Sequence, residues 1–351
     1  MRKCSKKERV YMNDKCLRAF EGLKKMMCKT NYDGDNINIW EWWSGVALYG
    51  MVRSHEKYGE QEILDFLIEW HKKNAPNRLT GSVNRVFCAC VSEYLYELTH
   101  DTEYKKICDE YRNWCINRAI KTRVGGFAHV WGPDENGVEM GPEGLENQLW
   151  IDTTFMACIF MARYGAYADD DILLSNAKEQ LEIHFKYLFN EKDKLCYHGY
   201  DCVKNENIGC YWGRGNGWIA AASAELVRLG IKDEYIEYRF KQLLERTYQL
   251  KAESGFVHTL VNDKTSYEET TGSALIGYAA AVAGKSGVLG KEYYQWAEKI
   301  YKNIGFNDNG YLALASSGTE PNGAEVYKNI PFADQAYGNG LIMLLDSAIE
   351  K

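Results

Sequence analysis

Two kinds of helical segment alternate along this chain, and this alternation limits its possible folds more than any other feature. Hydrophobic residues recur with a period of about 3.6 residues, with little strand-like alternation, so the sequence predicts an all-α protein. One kind of segment is charged and amphipathic and covers residues 6–28, 60–73, 103–121, 170–189, 233–251 and 290–304. The other kind is rich in apolar and small residues and covers residues 39–57, 82–98, 149–165, 216–229, 269–284 and 335–349.

The two kinds of helix need different amounts of cover. A helix without a polar face must be covered on all sides, whereas an amphipathic helix needs cover on one side only. Six of each in alternation fit an inner ring of helices wrapped by an outer ring. We therefore predict one domain over residues 1–351, an (α/α)6 barrel. An α-solenoid is the competing arrangement, but these segments differ in length and share no consensus.

Long loops precede most of the predicted inner helices. They cover residues 29–38, 122–148, 190–215, 252–268 and 305–334. If each outer helix leads into an inner helix through such a loop, all of them lie at one mouth of the barrel, and loops of this length are usually functional. Two of them contain a Gly-Phe pair followed by His129 or His258, which predicts short paired strands at this mouth.

Composition excludes several classes of partner. The net charge is −7 and no basic stripe is present, so nucleic acid is not an expected partner. No segment reaches the roughly 20 apolar residues of a membrane span, and the basic N-terminus lacks the apolar run of a signal peptide. Eleven cysteines, scattered among apolar helix positions, indicate reduced thiols and a cytoplasmic protein.

The segment from residue 147 to residue 165, NQLWIDTTFMACIFMARYG, places one carboxylate in a helix that is apolar nearly all round. Asp152 lies in the first turn of this predicted helix, next to Trp150. It is either an N-terminal cap or a titratable group held among apolar side chains for proton transfer.

Two further motifs contain candidate site residues. In YWGRGNGW, glycines allow a tight turn into a helix, and Trp212 and Trp218 flank Arg214, whose planar guanidinium can bind a carboxylate through two hydrogen bonds. The alternative is a glycine-rich helix start whose Arg pairs with an internal Asp. In YHGYD, His198 is either a hydrogen-bond donor to sugar hydroxyls or a solvated loop residue. The 10 Trp and 25 Tyr of the chain suit sugar rings, although most aromatic residues belong to a core.

Metal and nucleotide sites are not expected. Cys196, His198, Cys202 and Cys210 form a loose cluster, but their spacing matches no common zinc pattern. The sequence also lacks the GxSxG, GxxxxGK[ST], HExxH and GxGxxG patterns. We therefore expect neither a metal nor an organic cofactor.

The motifs WIDTTFMA at 150–157, YHGYD at 197–201 and WGRGNGW at 212–218, within alternating helices, resemble those of a known family. The chain resembles the unsaturated rhamnogalacturonyl hydrolases, family 105 of the glycoside hydrolases, which are related to the unsaturated glucuronyl hydrolases. The resemblance extends from the helix WEWWSGVALYGM to AYGNGLIMLL near the end of the sequence. It implies removal of a terminal 4,5-unsaturated uronic acid from lyase-generated oligosaccharides of the pectin or rhamnogalacturonan type.

The resemblance also implies roles for particular residues. Asp152 corresponds to the general acid/base of the family, and burial against Trp150 and its helix neighbours is expected to raise the pKa of this carboxyl. A second Asp of the family corresponds here to Asn84. Arg214 is expected to bind the carboxylate of the substrate. The complete set of expected substrate-binding residues is Trp150, His198, Trp212, Arg214, Trp218, Trp43, Asn84 and His129.

Two other functions stay open from the sequence. One is an epimerase-like sugar enzyme with paired catalytic histidines, for which the sequence offers only His129, His198 and His258 in loops. The other is a non-catalytic glycan-binding protein, which Asn84 would favour. For the hydrolase we expect an oligosaccharide as the partner molecule and a monomer or homodimer as the assembly.

Overall fold

The structure is a computed structural model that describes residues 11–133, 137–138 and 141–350. Its helices are numbered in chain order. The amphipathic helices are α1 (Asp14–Met26), α3 (Gln61–Asn74), α6 (Thr102–Asn113), α9 (Asp171–Leu188), α11 (Glu234–Leu250) and α13 (Lys291–Asn303). The apolar helices are α2 (Trp42–Tyr58), α4 (Val83–Val86) with α5 (Ala89–Thr99), α7 (Asp152–Met156) with α8 (Cys158–Tyr167), α10 (Gly213–Leu229), α12 (Thr270–Ser286) and α15 (Ala336–Ala348). A short helix, α14 (Ala324–Lys328), lies in the last long loop.

The apolar helices form a closed inner ring. Contacts run from α2 to α5, α8, α10, α12 and α15, and α15 packs again on α2. Each amphipathic helix packs outside this ring with a buried apolar stripe. The predicted (α/α)6 barrel is thus confirmed. The first residues of the predicted helix 6–28, residues 6–10, lie outside the described part of the chain.

The closest approach in the inner ring is between α2 and α15. A Cβ atom at Gly340 would lie 2.3 Å from Ala47 Cα, and one at Gly50 would lie 2.0 Å from the Gly340 carbonyl oxygen. Real Cβ contacts are never this short, so only glycine at these two positions lets the backbones meet. The small residues that distinguish the inner segments in the sequence therefore set the spacing of the ring.

Short antiparallel strands cover the mouth at the N-terminal ends of the inner helices, as predicted. The strands β1 (Gln148–Trp150), β2 (Gly199–Asp201) and β3 (Glu206–Ile208) form one sheet, and β4 (Val257–His258) pairs with β5 (Glu268–Glu269). The prediction of one helix from residue 149 to residue 165 is wrong at its start. The residues before Asp152 are extended because β1 pairs with β2, and the helix is interrupted at Ala157.

A buried ion network occupies the other end of the inner ring. Arg163 on α8 contacts Glu93 on α5 at 2.7 Å and Glu56 on α2 at 3.0 Å. Arg228 on α10 contacts Glu225 at 2.7 Å, and Tyr278 on α12 donates a hydrogen bond to the same carboxylate. Arg163 thus links α8 to α2 and α5, and Glu225 links α10 to α12, at this end of the ring.

No helix among residues 11–133, 137–138 and 141–350 combines the length and apolar character that crossing a membrane requires. The cysteines that the structure describes, from Cys16 to Cys210, are free thiols, and most of them are buried.

Candidate active site

A cavity of about 420 Å³ opens at the mouth of the barrel and is walled mainly by aromatic side chains. Five residues selected from the sequence meet there. They are Trp43 on α2, Asn84 on α4, His129 in the loop before β1, Trp150 on β1 and Asp152 on α7. Sequence reasoning therefore identified residues from four separate segments that the fold brings to one place.

Asp152 faces the cavity because of the turn from β1 into α7. The backbone N–H of Ile151 donates to the carbonyl oxygen of His198 at 2.8 Å, which extends the β1–β2 pairing by one residue. This pairing places His198 Nε2 3.1 Å from Asp152 Oδ2. Asp152 is the first residue of α7, and the N-cap position, Ile151, has no side-chain capping bond. The carboxylate is therefore directed to His198, and the capping interpretation does not apply.

The pKa of Asp152 is opposite in direction to the sequence expectation. Burial raises this pKa, but the hydrogen bond with His198 and smaller contributions around the carboxylate together lower it by more, and the net pKa lies below the ordinary value of an aspartate. The expectation of a raised pKa is wrong because it considered only the apolar neighbours on the same helix. With its pKa lowered, Asp152 is ionised at neutral pH.

His198 is fully buried behind the carboxylate and is held from three sides. Its Nδ1 atom lies 2.7 Å from Tyr327 Oη, and its Nε2 atom faces Asp152. Its ring stacks on Trp212 with a centroid distance of 4.5 Å and an interplanar angle of 27°. His198 is therefore a rigid neighbour of Asp152 rather than a solvated loop residue.

His129 and Trp150 form a second stacked pair in the cavity wall. Their ring centroids are 4.6 Å apart at an interplanar angle of 12°. His129 Nδ1 lies 3.0 Å from Thr153 Oγ1, and burial lowers the pKa of His129 to about 4. Trp150 Nε1 donates to Gln148 Oε1 at 2.8 Å. These bonds fix two flat surfaces beside Asp152, and His129 is neutral at pH 7.

Arg214 does not line the cavity, which corrects the expected contact with a substrate carboxylate. Its guanidinium is buried and donates to Ser316 Oγ at 2.7 Å, to the Ser316 carbonyl at 2.9 Å and to the Ser317 carbonyl at 2.7 Å. These bonds anchor the loop that brings Gly318 into the cavity wall. Arg214 thus binds the backbone carbonyl groups of this loop.

Trp212 and Trp218 also lie behind the cavity wall. Trp218 is fully buried against Phe155, with ring centroids 4.6 Å apart, and Trp212 packs beneath His198. The expected direct contact of these two residues with the sugar is therefore corrected to a supporting role. The guanidinium of Arg214 and the rings of both Trp residues contact other residues of the chain.

Several residues of the cavity were missed by sequence reasoning. Tyr32, Trp42 and Trp131 add aromatic surface, and Glu41 adds a buried carboxylate that accepts a hydrogen bond from Arg85 Nε at 2.9 Å. Burial raises the pKa of Glu41 although Arg85 opposes this effect. Glu41 and Trp42 lie at the start of the predicted inner segment 39–57, and Tyr32 and Trp131 lie in the long loops 29–38 and 122–148. The position of these loops at the mouth could have pointed to Tyr32 and Trp131, but none of the four residues belongs to a recognised motif.

The remaining candidates of the sequence lie elsewhere. His258 on β4 donates from Nδ1 to the Ser266 carbonyl at 2.7 Å and does not line the cavity. In the described residues, no group of three or more His, Cys, Asp and Glu side chains is placed to hold a metal ion.

The family comparison agrees with this architecture. Residues 21–351 match the model of Glycosyl Hydrolase Family 88. Over 315 residues the chain is 29% identical to the unsaturated rhamnogalacturonyl hydrolase YesR of Bacillus subtilis (strain 168), covering 87% of this chain and 88% of that protein. It is 27% identical over 150 residues to an unsaturated 3S-rhamnoglycuronyl hydrolase of Alteromonas sp. (strain LOR), covering 40% of this chain and 36% of that protein.

Solved structures share the fold. A possible GH105 family member from Salmonella enterica serovar Paratyphi A superposes with a TM-score of 0.87 at 23% identity, covering 98% of this chain and 96% of that one. The unsaturated glucuronyl hydrolase of Bacillus sp. GL1 superposes with a TM-score of 0.71 at 15% identity, covering 95% and 94%. With a family model that spans nearly all of the sequence, and with the barrel on which such relatives are built, the chain belongs to Glycosyl Hydrolase Family 88 and is a glycoside hydrolase.

Proposed function

We propose that this hydrolase removes the terminal 4,5-unsaturated uronic acid from oligosaccharides left by polysaccharide lyases, of the pectin or rhamnogalacturonan type. The observation that carries the proposal is the Asp152 carboxylate beside His198 in an aromatic-walled cavity large enough for a sugar ring. The name of the relative from Bacillus subtilis supports the rhamnogalacturonan class. The roles assigned below to individual residues are part of this proposal.

The reaction is a hydration in which one carboxyl group serves twice. Protonated Asp152 gives its proton to C4 of the C4=C5 enol ether, and water adds at C5 as its own proton passes to the Asp152 carboxylate. The hemiketal formed at C5 opens and releases the aglycone alcohol. Since no glycosidic bond is displaced directly, the carboxylate separations of retaining and inverting glycosidases do not apply.

Protonation of Asp152 is coupled to substrate binding. The pKa of Asp152 lies below its ordinary value, so without an anionic neighbour this carboxyl group does not carry a proton at neutral pH. The unsaturated sugar carries a carboxylate, and a second negative charge in a cavity that has lost its water raises the pKa of the first. The substrate therefore creates the proton donor that its own reaction needs.

The cavity supplies flat faces and neutral donors. Trp43 and the His129–Trp150 pair offer surfaces for the sugar ring. Among the described residues that line the cavity none is Arg or Lys, so the amide of Asn84 and the hydroxyl of Thr319 are the donors that we assign to the sugar carboxylate. Asn84, which replaces a carboxylate of the family, thereby avoids repulsion of an anionic substrate.

The test is Asp152→Asn, assayed by loss of the ultraviolet absorbance of the conjugated enol ether. We expect kcat to fall by at least about 10³-fold, within the range for loss of a general acid/base. Asp201→Asn is the matched control, because Asp201 accepts two turn hydrogen bonds on the neighbouring β2 and does not line the cavity. An Asp152→Asn protein that still turns over would refute the proposal, and binding without turnover by the native chain would favour a glycan-binding protein.

We also infer a cytoplasmic location and a monomeric or homodimeric state. The free, mostly buried cysteines of the described residues support the location, because secreted proteins tend to oxidise such thiols. Cell fractionation tests the first inference, and sedimentation of the purified protein tests the second.

A further inference from the structure

Tyr327 lies on the far side of His198 from Asp152 and completes a chain of three side chains. It belongs to α14 in the last long loop and is fully buried. Its Oη atom is 2.7 Å from His198 Nδ1, while His198 Nε2 is 3.1 Å from Asp152 Oδ2. Tyr327 does not line the cavity, and its hydroxyl forms its side-chain hydrogen bond with His198 rather than with Asp152.

The hydrogen bonds around Tyr327 Oη determine which way its proton points. The backbone N–H of Asn322 donates to this oxygen at 3.3 Å, and among the described residues His198 Nδ1 is the acceptor within hydrogen-bond distance of it, at 2.7 Å. A phenol oxygen has two acceptor sites and one proton. Because Tyr327 is fully buried, its phenol proton needs an acceptor within the protein, and His198 Nδ1 provides it.

This arrangement defines the tautomer of His198. An Nδ1 atom that accepts a proton from Tyr327 carries none of its own, and a neutral imidazole then has its proton on Nε2. That proton is donated to Asp152 Oδ2. An imidazolium would carry a proton on Nδ1 and would leave the buried phenol proton of Tyr327 without an acceptor.

We propose that Tyr327 is a positioning residue that holds His198 as the neutral Nε2–H tautomer beside Asp152. The carboxylate then meets a neutral donor instead of a fixed positive charge. A neighbouring cation lowers the pKa of a carboxyl group. Beside a neutral donor the pKa is lowered less, so the carboxylate is protonated more readily when an anionic substrate binds. The consequence for catalysis rests on the proposed function; the tautomer does not.

Among the titratable groups that face Asp152, His198 is the one whose charge controls the affinity of Asp152 for a proton. Asp152 interacts electrostatically with His129 from the loop before β1, with His184 from α9 and with Tyr327 from α14. Burial lowers the pKa of both His129 and His184 to about 4, so both are neutral at pH 7. His198 is thus the imidazole whose charge state decides how readily Asp152 accepts a proton.

The backbone around this chain of residues is shaped for close contact. Gly209 has a φ of +76°, and a Cβ atom there would lie 2.7 Å from Tyr327 Oη and 2.9 Å from His198 Cβ. A side chain at this position would push the phenol away from the imidazole. Trp212 stacks on the His198 ring with a centroid distance of 4.5 Å and restricts the orientation of the imidazole.

The experiment reads the tautomer directly by NMR of the ¹⁵N-histidine-labelled protein, with His198 assigned through a His198→Gln variant. In the native chain at pH 7 we expect an unprotonated Nδ1 and a protonated Nε2. In Tyr327→Phe we expect a proton on Nδ1 over part of the neutral pH range. Tyr200→Phe is the matched control, since Tyr200 on β2 donates to Asn205 and does not contact His198.

Kinetics supply the second measurement. The alkaline limb of the kcat/KM profile of Tyr327→Phe should move to lower pH by about one unit, because Asp152 next to an imidazolium loses its proton earlier. The control should keep the native profile. A protonated Nδ1 in the native protein would overturn the proposal even if Tyr327→Phe did not fold. A native tautomer as proposed together with an active Asp152→Asn would instead refute only the proposed function.

Discussion

Removal of Arg163 tests the ion network at the closed end of the barrel. The side chains of Arg163 and Glu93 are only 3% and 2% exposed, so neither can exchange its partner for water. Arg163→Met keeps an unbranched apolar side chain in place of the arginine stem and leaves Glu93 as a buried carboxylate without its hydrogen-bonded cation. Breaking a buried pair in this way costs about 3–5 kcal/mol of the free energy of unfolding.

The cost converts into a measurable fall of the melting temperature. An unfolding entropy of about 2.1 cal/mol/K per residue corresponds to about 0.7 kcal/mol/K for a chain of 351 residues. Thermal unfolding followed by circular dichroism should therefore give a midpoint about 4–7 °C below that of the native chain. Activity at 25 °C should change little, because the network lies at the end of the barrel opposite the cavity.

The penalty should depend on pH. Burial already raises the pKa of Glu93 in the native chain, and loss of the Arg163 charge raises it further. A carboxyl group whose folded pKa exceeds its unfolded value adds stability as the pH falls through the folded pKa. The difference between Arg163→Met and the native chain should therefore be smaller at pH 5 than at pH 8.

Two further variants test whether the uncompensated charge of Glu93 causes the loss of stability. Arg163→Met combined with Glu93→Leu removes both charges and should recover most of the lost stability. Glu97→Gln is the control, because Glu97 is half exposed and 3.9 Å from Arg163, and it should cost less than about 1 kcal/mol. An equal penalty at pH 5 and pH 8, or a double variant no more stable than Arg163→Met, would refute the uncompensated charge as the cause.

Further substitutions test the ring and the cavity. Gly340→Ala should lower the free energy of unfolding by about 1–3 kcal/mol through overpacking against α2, whereas Gly323→Ala, with open space around it, should be neutral in chemical denaturation. Arg214→Lys should lower kcat/KM about 10- to 100-fold by releasing the loop it anchors, with an unchanged circular dichroism spectrum. Asn84→Asp should move the alkaline limb of the kcat/KM profile to higher pH, because a second carboxylate raises the pKa of Asp152. The lowered pKa of Asp152 stabilises the native chain above about pH 4, so its stability advantage over Asp152→Asn should vanish as the pH falls below that value.

The helices could be predicted because their information is local. Each segment of the sequence shows its apolar periodicity and whether it has a polar face. These two patterns predicted the inner and outer helices correctly. The start of α7 was misplaced because β1 is fixed by pairing between Trp150 and Gly199, which are distant in sequence. The interruption at Ala157 likewise has no signal among the good helix formers around it.

The site was partly predictable for the same reason. Asp152 and Trp150 stand out as polar and aromatic residues at the start of an apolar segment, and the structure brings them into the cavity with Trp43. Arg214 was misassigned because a guanidinium binds backbone carbonyls as readily as a ligand carboxylate. The direction of the Asp152 pKa depends on its contact with His198, which no local pattern reveals.

The seam between α2 and α15 has a consequence for biosynthesis. A ribosome releases α2 well before α15, so the contact of Gly50 with Gly340 forms only after the chain has emerged as far as α15. Until then α2 exposes the apolar surface that later packs against α15, and nascent chains with exposed apolar surface are prone to aggregate. Newly synthesised enzyme should therefore gain activity in a single late step, when α15 packs on α2 and closes the inner ring.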